Sequence, residues 1–137
     1  MHQGFYYLAS PYHGTDEQQA VRTELSFIAA SECLRQGVYI FTPLIYVNNV
    51  ADRLNLTIEQ RKERVMPYLL EFLRRAEGLL LLTAEGWKTS WGIKQELLFC
   101  LKHHIPVFQI TPEQLYEPVA PRLKTPLSQQ ELEDLVG

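Results

Sequence analysis

Gly78-Leu79-Leu80-Leu81-Leu82-Thr83 is a stretch of four consecutive leucines with no polar residue among them. A strand that buries only one face alternates apolar and polar residues, whereas a parallel strand covered by helices on both faces is apolar throughout. The length also suits a strand, because strands are most often about five or six residues long. We therefore predict that this stretch is a central strand of a parallel sheet with helices packed on both sides.

Strand-like and helix-like apolar spacings alternate on either side of this strand. Further strands are predicted at Phe5–Ala9, at Val38–Phe41 (fully buried) and at Val107–Ile110. Helices are predicted from Asp16 to about Gln36, from about Thr57 to Arg75, from Ser90 to about His104, and over a short segment after Ser128. This alternation implies right-handed crossovers between parallel strands. The prediction is an α/β, Rossmann-like three-layer domain with a four- or five-stranded parallel sheet, and one domain over residues 1–137.

The sequence also predicts how the helices begin, which residues they bury and where one of them bends. Capping boxes open two of them, formed by Thr57 with Gln60 and by Ser128 with Glu131. The first helix is predicted to bury a stripe of Val21, Leu25, Ile28, Ala29 and Leu34. Pro67 predicts a kink or a break in the second helix, because proline lacks an amide hydrogen and clashes with the preceding turn. The charge run Arg61-Lys62-Glu63-Arg64 is predicted to face solvent.

Composition narrows the functional classes. Hydrophobic residues make up 46% of the chain and charged residues 21%, as in folded globular proteins. The net charge of −3 argues against a general nucleic-acid-binding surface. No apolar stretch is long enough to cross a bilayer, and Met1–Phe5 lacks the basic and apolar regions of a signal peptide. Cys33 and Cys100 fall within predicted helices, where buried free thiols are the expected state. We expect a soluble cytoplasmic protein that contacts neither nucleic acid nor membrane.

Ligands of open parallel sheets bind beyond the carboxyl ends of the strands. Three segments of this chain should meet there, namely Ala9–Tyr12, Thr42–Tyr46 and Gly86–Gly92. A serine at position 90 that caps the third helix would place Gly92 in the first turn, where free amides and the helix dipole favour an anion such as phosphate. Glycine has no side chain, so a ligand can approach the backbone closely.

Glu96 follows Gly92 by four residues and therefore lies on the same side of the helix, at the edge of its apolar stripe. A half-buried carboxylate there could attack an electrophilic sugar carbon or bind ribose hydroxyls. The alternative is a surface glutamate on an amphipathic helix. The chain has no glycine-rich dinucleotide fingerprint and no phosphate loop with a Gly-Lys-Ser/Thr ending, which argues against a dinucleotide oxidoreductase or an NTPase.

Two motifs carry a family resemblance. Tyr7-Leu8-Ala9-Ser10-Pro11-Tyr12, followed by Gly86-Trp87-x-x-Ser90-x-Gly92-Ile93-x-x-Glu96, resembles the nucleoside 2-deoxyribosyltransferase superfamily, and its small bacterial and phage members most closely. The superfamily also includes the 2'-deoxynucleoside 5'-phosphate N-hydrolases. The similarity covers about residues 5–110, which is most of the chain.

The resemblance implies a retaining, two-step reaction at an N-glycosidic bond, with Glu96 as the nucleophile and no cofactor. It also implies that Tyr7 orients the Glu96 carboxylate, that Ser90 contacts a phosphate, and that Ser10 contacts the substrate. A glutamate with an ordinary pKa of about 4.3 is ionised at neutral pH and ready to attack. Oligomers are common in this superfamily, so a homo-oligomer is expected.

One position departs from the family pattern. Members usually carry an aspartate eight residues before the acidic residue that precedes the third strand, and counting back from Glu77 reaches Leu69. Leucine cannot transfer a proton, and losing a positioned acid costs roughly 100- to 10,000-fold in rate. A nucleotide-binding or sensing module without turnover is therefore the alternative function.

Aromatic and histidine side chains complete the candidate site. Tyr12, Tyr46, Trp87 and Trp91 could stack on a nucleobase at the mouth of the site, or pack its rim or a subunit contact. His13 is a candidate leaving-group acid or phosphate contact. No metal site is expected, because no ligand pairs have zinc-like spacing. We expect Cys100 to be a buried packing residue and not a reactive thiolate.

Overall fold

The computed structural model describes residues 4–137. Its strands are β1 (Tyr6–Ala9), β2 (Ile40–Phe41), β3 (Gly78–Leu82) and β4 (Val107–Ile110). Its α-helices are α1 (Asp16–Arg35), α2 (Ile58–Arg75), α3 (Trp91–His103) and α4 (Gln129–Val136). The strands form one parallel sheet in the order β2-β1-β3-β4, which confirms the predicted Rossmann-like α/β architecture with four strands.

The leucine run lies in the interior of the sheet, as predicted. All five residues of β3 are buried, and β3 pairs with β1 on one side and with β4 on the other. Leu79 and Leu81 pack into a core cluster with residues of α2, α3 and α4, whereas Leu80 and Leu82 pack into a second cluster with residues of α1. Successive side chains of a strand point to opposite faces, so one run of leucines fills both cores.

The second strand is shorter and less buried than predicted. β2 has two residues, both only partly buried, in place of the buried strand predicted over Val38–Phe41. It pairs with β1 alone and forms an edge of the sheet, so one side of its backbone has no strand neighbour. An apolar run does not distinguish an edge strand from a central one.

The buried face of α1 differs from the predicted stripe. Val21 and Leu34 are 60% and 67% exposed, and the helix buries Arg22, Ser26, Ala29 and Cys33. Three of these side chains are small, which lets the helix lie close to the sheet. The stripe prediction was right for Leu25, Ile28 and Ala29, which pack into the second core cluster, and wrong for Val21 and Leu34. It followed apolar residues alone and therefore missed the polar side chains that this face also buries.

The predicted capping boxes at Thr57 and Ser128 are both present. Helix α2 runs from Ile58 to Arg75 without a break at Pro67. Leu69 and Leu73 of the same helix are buried, and this packing stabilises the helix on the far side of the proline.

Irregular helical turns connect the regular elements. A π-helical turn at Tyr46–Ala51 follows β2 and was not predicted from the sequence. Two 3-10 turns, Pro112–Tyr116 and Ala120–Lys124, lie between β4 and α4. Among residues 4–137, none of the helices combines the length and apolar character needed to cross a membrane.

Candidate active site

A cavity of about 520 Å³ lies at the carboxyl ends of the strands. Its wall includes Ser10 from the loop after β1, Pro43 and Leu44 from the segment after β2, and Ser90 at the start of α3. Helix α2 forms an apolar side of the same cavity. The three predicted segments therefore meet at the predicted edge of the sheet.

Glu96 is buried in the wall of this cavity. It is 5% exposed, and its carboxylate accepts a hydrogen bond from the hydroxyl of Tyr7, a β1 residue with no exposed surface. Ile93, Leu97 and Cys100 are the other buried residues of α3, so the carboxyl group is part of the packed face of the helix. The surface alternative for Glu96 is therefore wrong, and the side chain is more buried than half-buried.

This burial changes the charge state expected of Glu96. Loss of solvent raises its pKa from 4.5 to about 8, and the hydrogen bond from Tyr7 opposes that rise. The sequence-based expectation of an ordinary pKa was wrong, because a low-dielectric surrounding penalises the charged form. The pKa of Tyr7 is also raised well above its usual value, by burial and then by the neighbouring Glu96. At neutral pH the carboxyl group is mostly protonated in the ligand-free cavity.

The first turn of α3 is built as predicted. Ser90 is the N-cap, and its hydroxyl oxygen accepts a hydrogen bond from the amide of Ile93 at 3.2 Å. The amides of Trp91 and Gly92 precede the first intrahelical donor, so they remain available to a ligand. A Cβ atom at Gly92 would lie 3.5 Å from the terminal methyl group of Met66, an ordinary contact. Packing does not require glycine at this position.

The structure places the sequence-predicted site residues in two groups. Ser10, Tyr12, Ser90, Gly92 and Glu96 line the cavity, as do Trp91 and His13. Tyr7 acts on the cavity through its hydrogen bond to Glu96.

The second group does not line the cavity. The hydroxyl of Tyr46 lies 2.8 Å from that of Tyr68, and the Tyr46 ring packs near Phe72. Trp87 packs partly buried against the core, with Lys88 over its ring. The position of Tyr46 follows from the π-helical turn that begins there and holds the ring against α2. For both rings the structure favours the packing alternative over a contact with a base.

Arg22 is a cavity residue that sequence reasoning missed. Its side chain is 9% exposed, and one of its terminal nitrogens donates to the carbonyl oxygen of His13. Glu85, the acidic partner, is 3.9 Å away and largely exposed to solvent. Among the described residues these are its polar contacts, so the guanidinium retains donors that can face an anion in the cavity.

Two glycines make room for this arginine. A Cβ at Gly86, which has a positive φ of 91°, would lie 2.3 Å from Nη2 of Arg22. A Cβ at Gly14 would lie 2.7 Å from Nη1. Gly86 was the available sequence signal, because it begins the Gly86–Gly92 segment predicted to reach the site, whereas Gly14 lies just beyond the predicted Ala9–Tyr12 segment.

Arg61 and Lys62 also line the cavity, so the prediction that their charge run faces solvent was wrong for these two residues. Arg61 donates to the carbonyl oxygens of Leu56 and Val47 at 3.2 and 3.1 Å and to the carboxylate of Asp52. It therefore ties the π-helical turn to α2. Lys62 lies 4.9 Å over the ring centroid of Trp91.

The remaining wall is apolar or weakly basic. Leu69, at the position of the expected family acid, is 4% exposed and lines the cavity with Val65 and Met66. Burial and then the nearby Arg61 lower the pKa of His13, which favours the neutral imidazole. Cys33 and Cys100 are free and buried, as predicted. Within residues 4–137, no cluster of three or more His, Cys, Asp or Glu side chains could hold a metal ion.

Comparisons of the sequence with protein-family models and with curated proteins give no match. The fold and the cavity define the class as a parallel α/β protein with one buried carboxyl group in a basic pocket at the carboxyl edge of its sheet.

Proposed function

We propose that this protein cleaves or exchanges the N-glycosidic bond of a nucleoside or nucleoside 5'-monophosphate, with Glu96 as the nucleophile. The observation that carries the proposal is the Glu96 carboxyl group, buried in the cavity wall and hydrogen-bonded to Tyr7. Burying a glutamate is costly unless it is hydrogen-bonded, and a buried carboxyl group with a perturbed pKa in a cavity is a candidate functional group. The resemblance of the two motifs to nucleoside 2-deoxyribosyltransferases supports the same assignment.

The reaction proceeds in two steps. In the first, an oxygen of the ionised Glu96 carboxylate attacks the anomeric carbon and the C–N bond breaks with its electron pair moving to the base, so that a glycosyl ester forms and a neutral base takes up one proton as it leaves. In the second, water or another base attacks the same carbon and releases the carboxylate. Tyr7 holds the carboxylate in one orientation and lowers its pKa through the hydrogen bond.

The basic part of the cavity supports a 5'-phosphate on the substrate. The buried guanidinium of Arg22 supplies charge, and the free amides at Trp91 and Gly92 supply hydrogen-bond donors. The cavity volume of about 520 Å³ lies within the range of small-molecule sites.

The test is release of free base from a panel of nucleosides and their 5'-monophosphates, followed by chromatography. We expect release with the wild-type protein and its loss, by at least about 1,000-fold, in Glu96→Gln. Glu63→Gln, the same change at an exposed position of α2, is the matched control and should retain activity. Equal rates in wild type and Glu96→Gln would reject the nucleophile assignment.

Leu69 favours a second candidate, a nucleotide-binding module without turnover. Its apolar side chain lines the cavity where a family member would carry an acid. Calorimetric titration with the same nucleotides separates the two functions. Saturable binding without any release of base would support the binding module.

A further inference from the structure

A neutral nucleobase is a poor leaving group unless it receives a proton. Glycosidases supply that proton from a positioned acid, which contributes about 100- to 10,000-fold to the rate. The question for this cavity is which of its side chains can act as that acid once Glu96 has become the nucleophile.

The cavity wall offers few acids. Among the described residues that line the cavity, Glu96 is the only one with a carboxyl group, and the Tyr7 hydroxyl already donates to it. Burial disfavours the protonated form of His13 and raises the pKa of Tyr12. Lys62 is a cation, but its ammonium lies over the Trp91 ring and 3.5 Å from Glu59. Val65, Met66 and Leu69 present only apolar surface.

The charge state of Glu96 provides a second argument about the chemistry of the substrate. Burial raises the pKa of this carboxyl group, and a positive charge placed close to it lowers that pKa and favours the anion. A neutral base brings no such charge, whereas a substrate with a cationic ring at the anomeric carbon brings one next to the nucleophile. Binding of that substrate would itself favour the reactive carboxylate.

From these observations, and resting on the proposed function, we propose that the preferred substrate is an N-glycoside whose base is cationic while attached to the sugar, such as an N-ribosylpyridinium 5'-phosphate. A Glu96 oxygen attacks the anomeric carbon, and the C–N bond breaks with its electron pair moving to the ring nitrogen. The base leaves as a neutral pyridine and needs no proton. Water then attacks the anomeric carbon, the ester bond breaks, the carboxylate is restored and one proton is released to solvent.

The first test compares β-nicotinamide mononucleotide with neutral-base nucleoside and deoxynucleoside 5'-monophosphates on the wild-type protein. We expect base release from the pyridinium substrate to be at least about 100-fold faster in kcat/KM. A pH-stat should record one proton released per pyridine, and Glu96→Gln should abolish both signals while Glu63→Gln retains them. Faster cleavage of neutral-base nucleotides would overturn this inference and leave the proposed function standing. No cleavage of either class would overturn both.

The second test adds the missing acid. Leu69→Asp should raise the rate with neutral-base nucleotides and leave the pyridinium rate unchanged or lower, whereas Leu69→Asn, which is polar but not acidic, should not raise it. Circular dichroism establishes that each variant is folded. If Lys62→Met abolished cleavage of the pyridinium substrate with unchanged KM, an acid would be required after all, and the inference would be wrong.

Discussion

At the scale of single residues, the pairing of Tyr7 with Glu96 joins strand β1 to helix α3 across 89 positions of sequence. Taken alone, the motif around Tyr7 predicts an apolar strand, and the motif that ends at Glu96 predicts an amphipathic helix. The candidate site arises because the fold brings one hydroxyl to one carboxyl group at a buried position in the cavity wall. The surroundings of Glu96 then set its pKa, and its residue type alone does not.

Tyr7→Phe tests how this hydrogen bond tunes the nucleophile. The bond lowers the pKa of Glu96, so its removal should raise that pKa above the wild-type value of about 8. The acid limb of the kcat/KM profile should then move to higher pH, with a fall at pH 7 of up to about tenfold for each unit of the shift. The measurement is the rate of base release from pH 5 to 10. An unshifted limb with a uniformly lower rate would show that Tyr7 does not control ionisation.

At the scale of helices and strands, sequence patterns correctly predicted the features that depend on residues close together in the chain. The leucine run, the capping boxes and the serine at the start of α3 each depend on residues close in sequence, and the structure confirms them. The predicted stripe of α1 was right for Leu25, Ile28 and Ala29 but missed Arg22, whose burial depends on contacts with loops distant from the helix. The π-helical turn after β2 was missed for the same reason, since Arg61 holds it from another helix.

As with the helices and strands, the parts of the candidate site that depend on local sequence were predicted, and the parts that depend on distant contacts were not. Ser10, Ser90, Gly92 and Glu96 follow from strand ends, capping and helical spacing, which are local signals. Arg22 was not predicted, because an arginine on a helix is normally solvated and the two glycines that leave space for it lie in loops outside its helix.

Gly92→Ala tests the first turn of α3. The added methyl group meets no close neighbour, so we expect unchanged stability or a gain of up to about 1 kcal/mol from helix propensity. The same methyl group should obstruct a phosphate on the adjacent amides and weaken binding of nucleoside 5'-monophosphates by about tenfold, with little effect on free nucleosides. Thermal unfolding and calorimetric titration measure the two effects. Equal weakening for nucleosides and monophosphates would place the phosphate elsewhere.

At the scale of the whole molecule, the charge of the cavity is opposite to that of the chain. The protein carries a net charge of −3, yet its cavity is lined by Arg22, Arg61 and Lys62 and, within residues 4–137, by a single carboxyl group, that of Glu96. The net charge argues against nucleic acid as a general partner, but it carries no information on the local charge of the cavity. A fold that collects cations from α1 and α2 at one edge of its sheet attracts small anions without becoming basic overall.

The stability of the whole molecule should depend on pH through Glu96. The unfolded chain releases this proton near pH 4.5 and the folded protein near pH 8, so between these values the folded state binds more protons. The stabilisation is complete below the lower value and is lost as the pH rises through about 8. Glu96→Gln does not titrate, so its stability relative to wild type should increase over this window by up to a few kcal/mol.

Urea unfolding of both proteins from pH 5 to 9 measures this difference. Glu63→Gln provides the control, because an exposed glutamate should give a curve parallel to wild type. Parallel curves for Glu96→Gln and wild type would show that the carboxyl group titrates normally in the folded protein.

Gly92 and Glu96 belong to one continuous helix, and this has a consequence for substrate choice. Four residues of α-helix advance by about 6 Å, and neither packing changes nor loop motion can alter that interval without unwinding the turn. In the proposed complex, the distance between the phosphate and the attacked carbon is thus limited by backbone geometry. Compounds with a longer or shorter spacer between those two groups should be rejected by length alone, whatever base they carry.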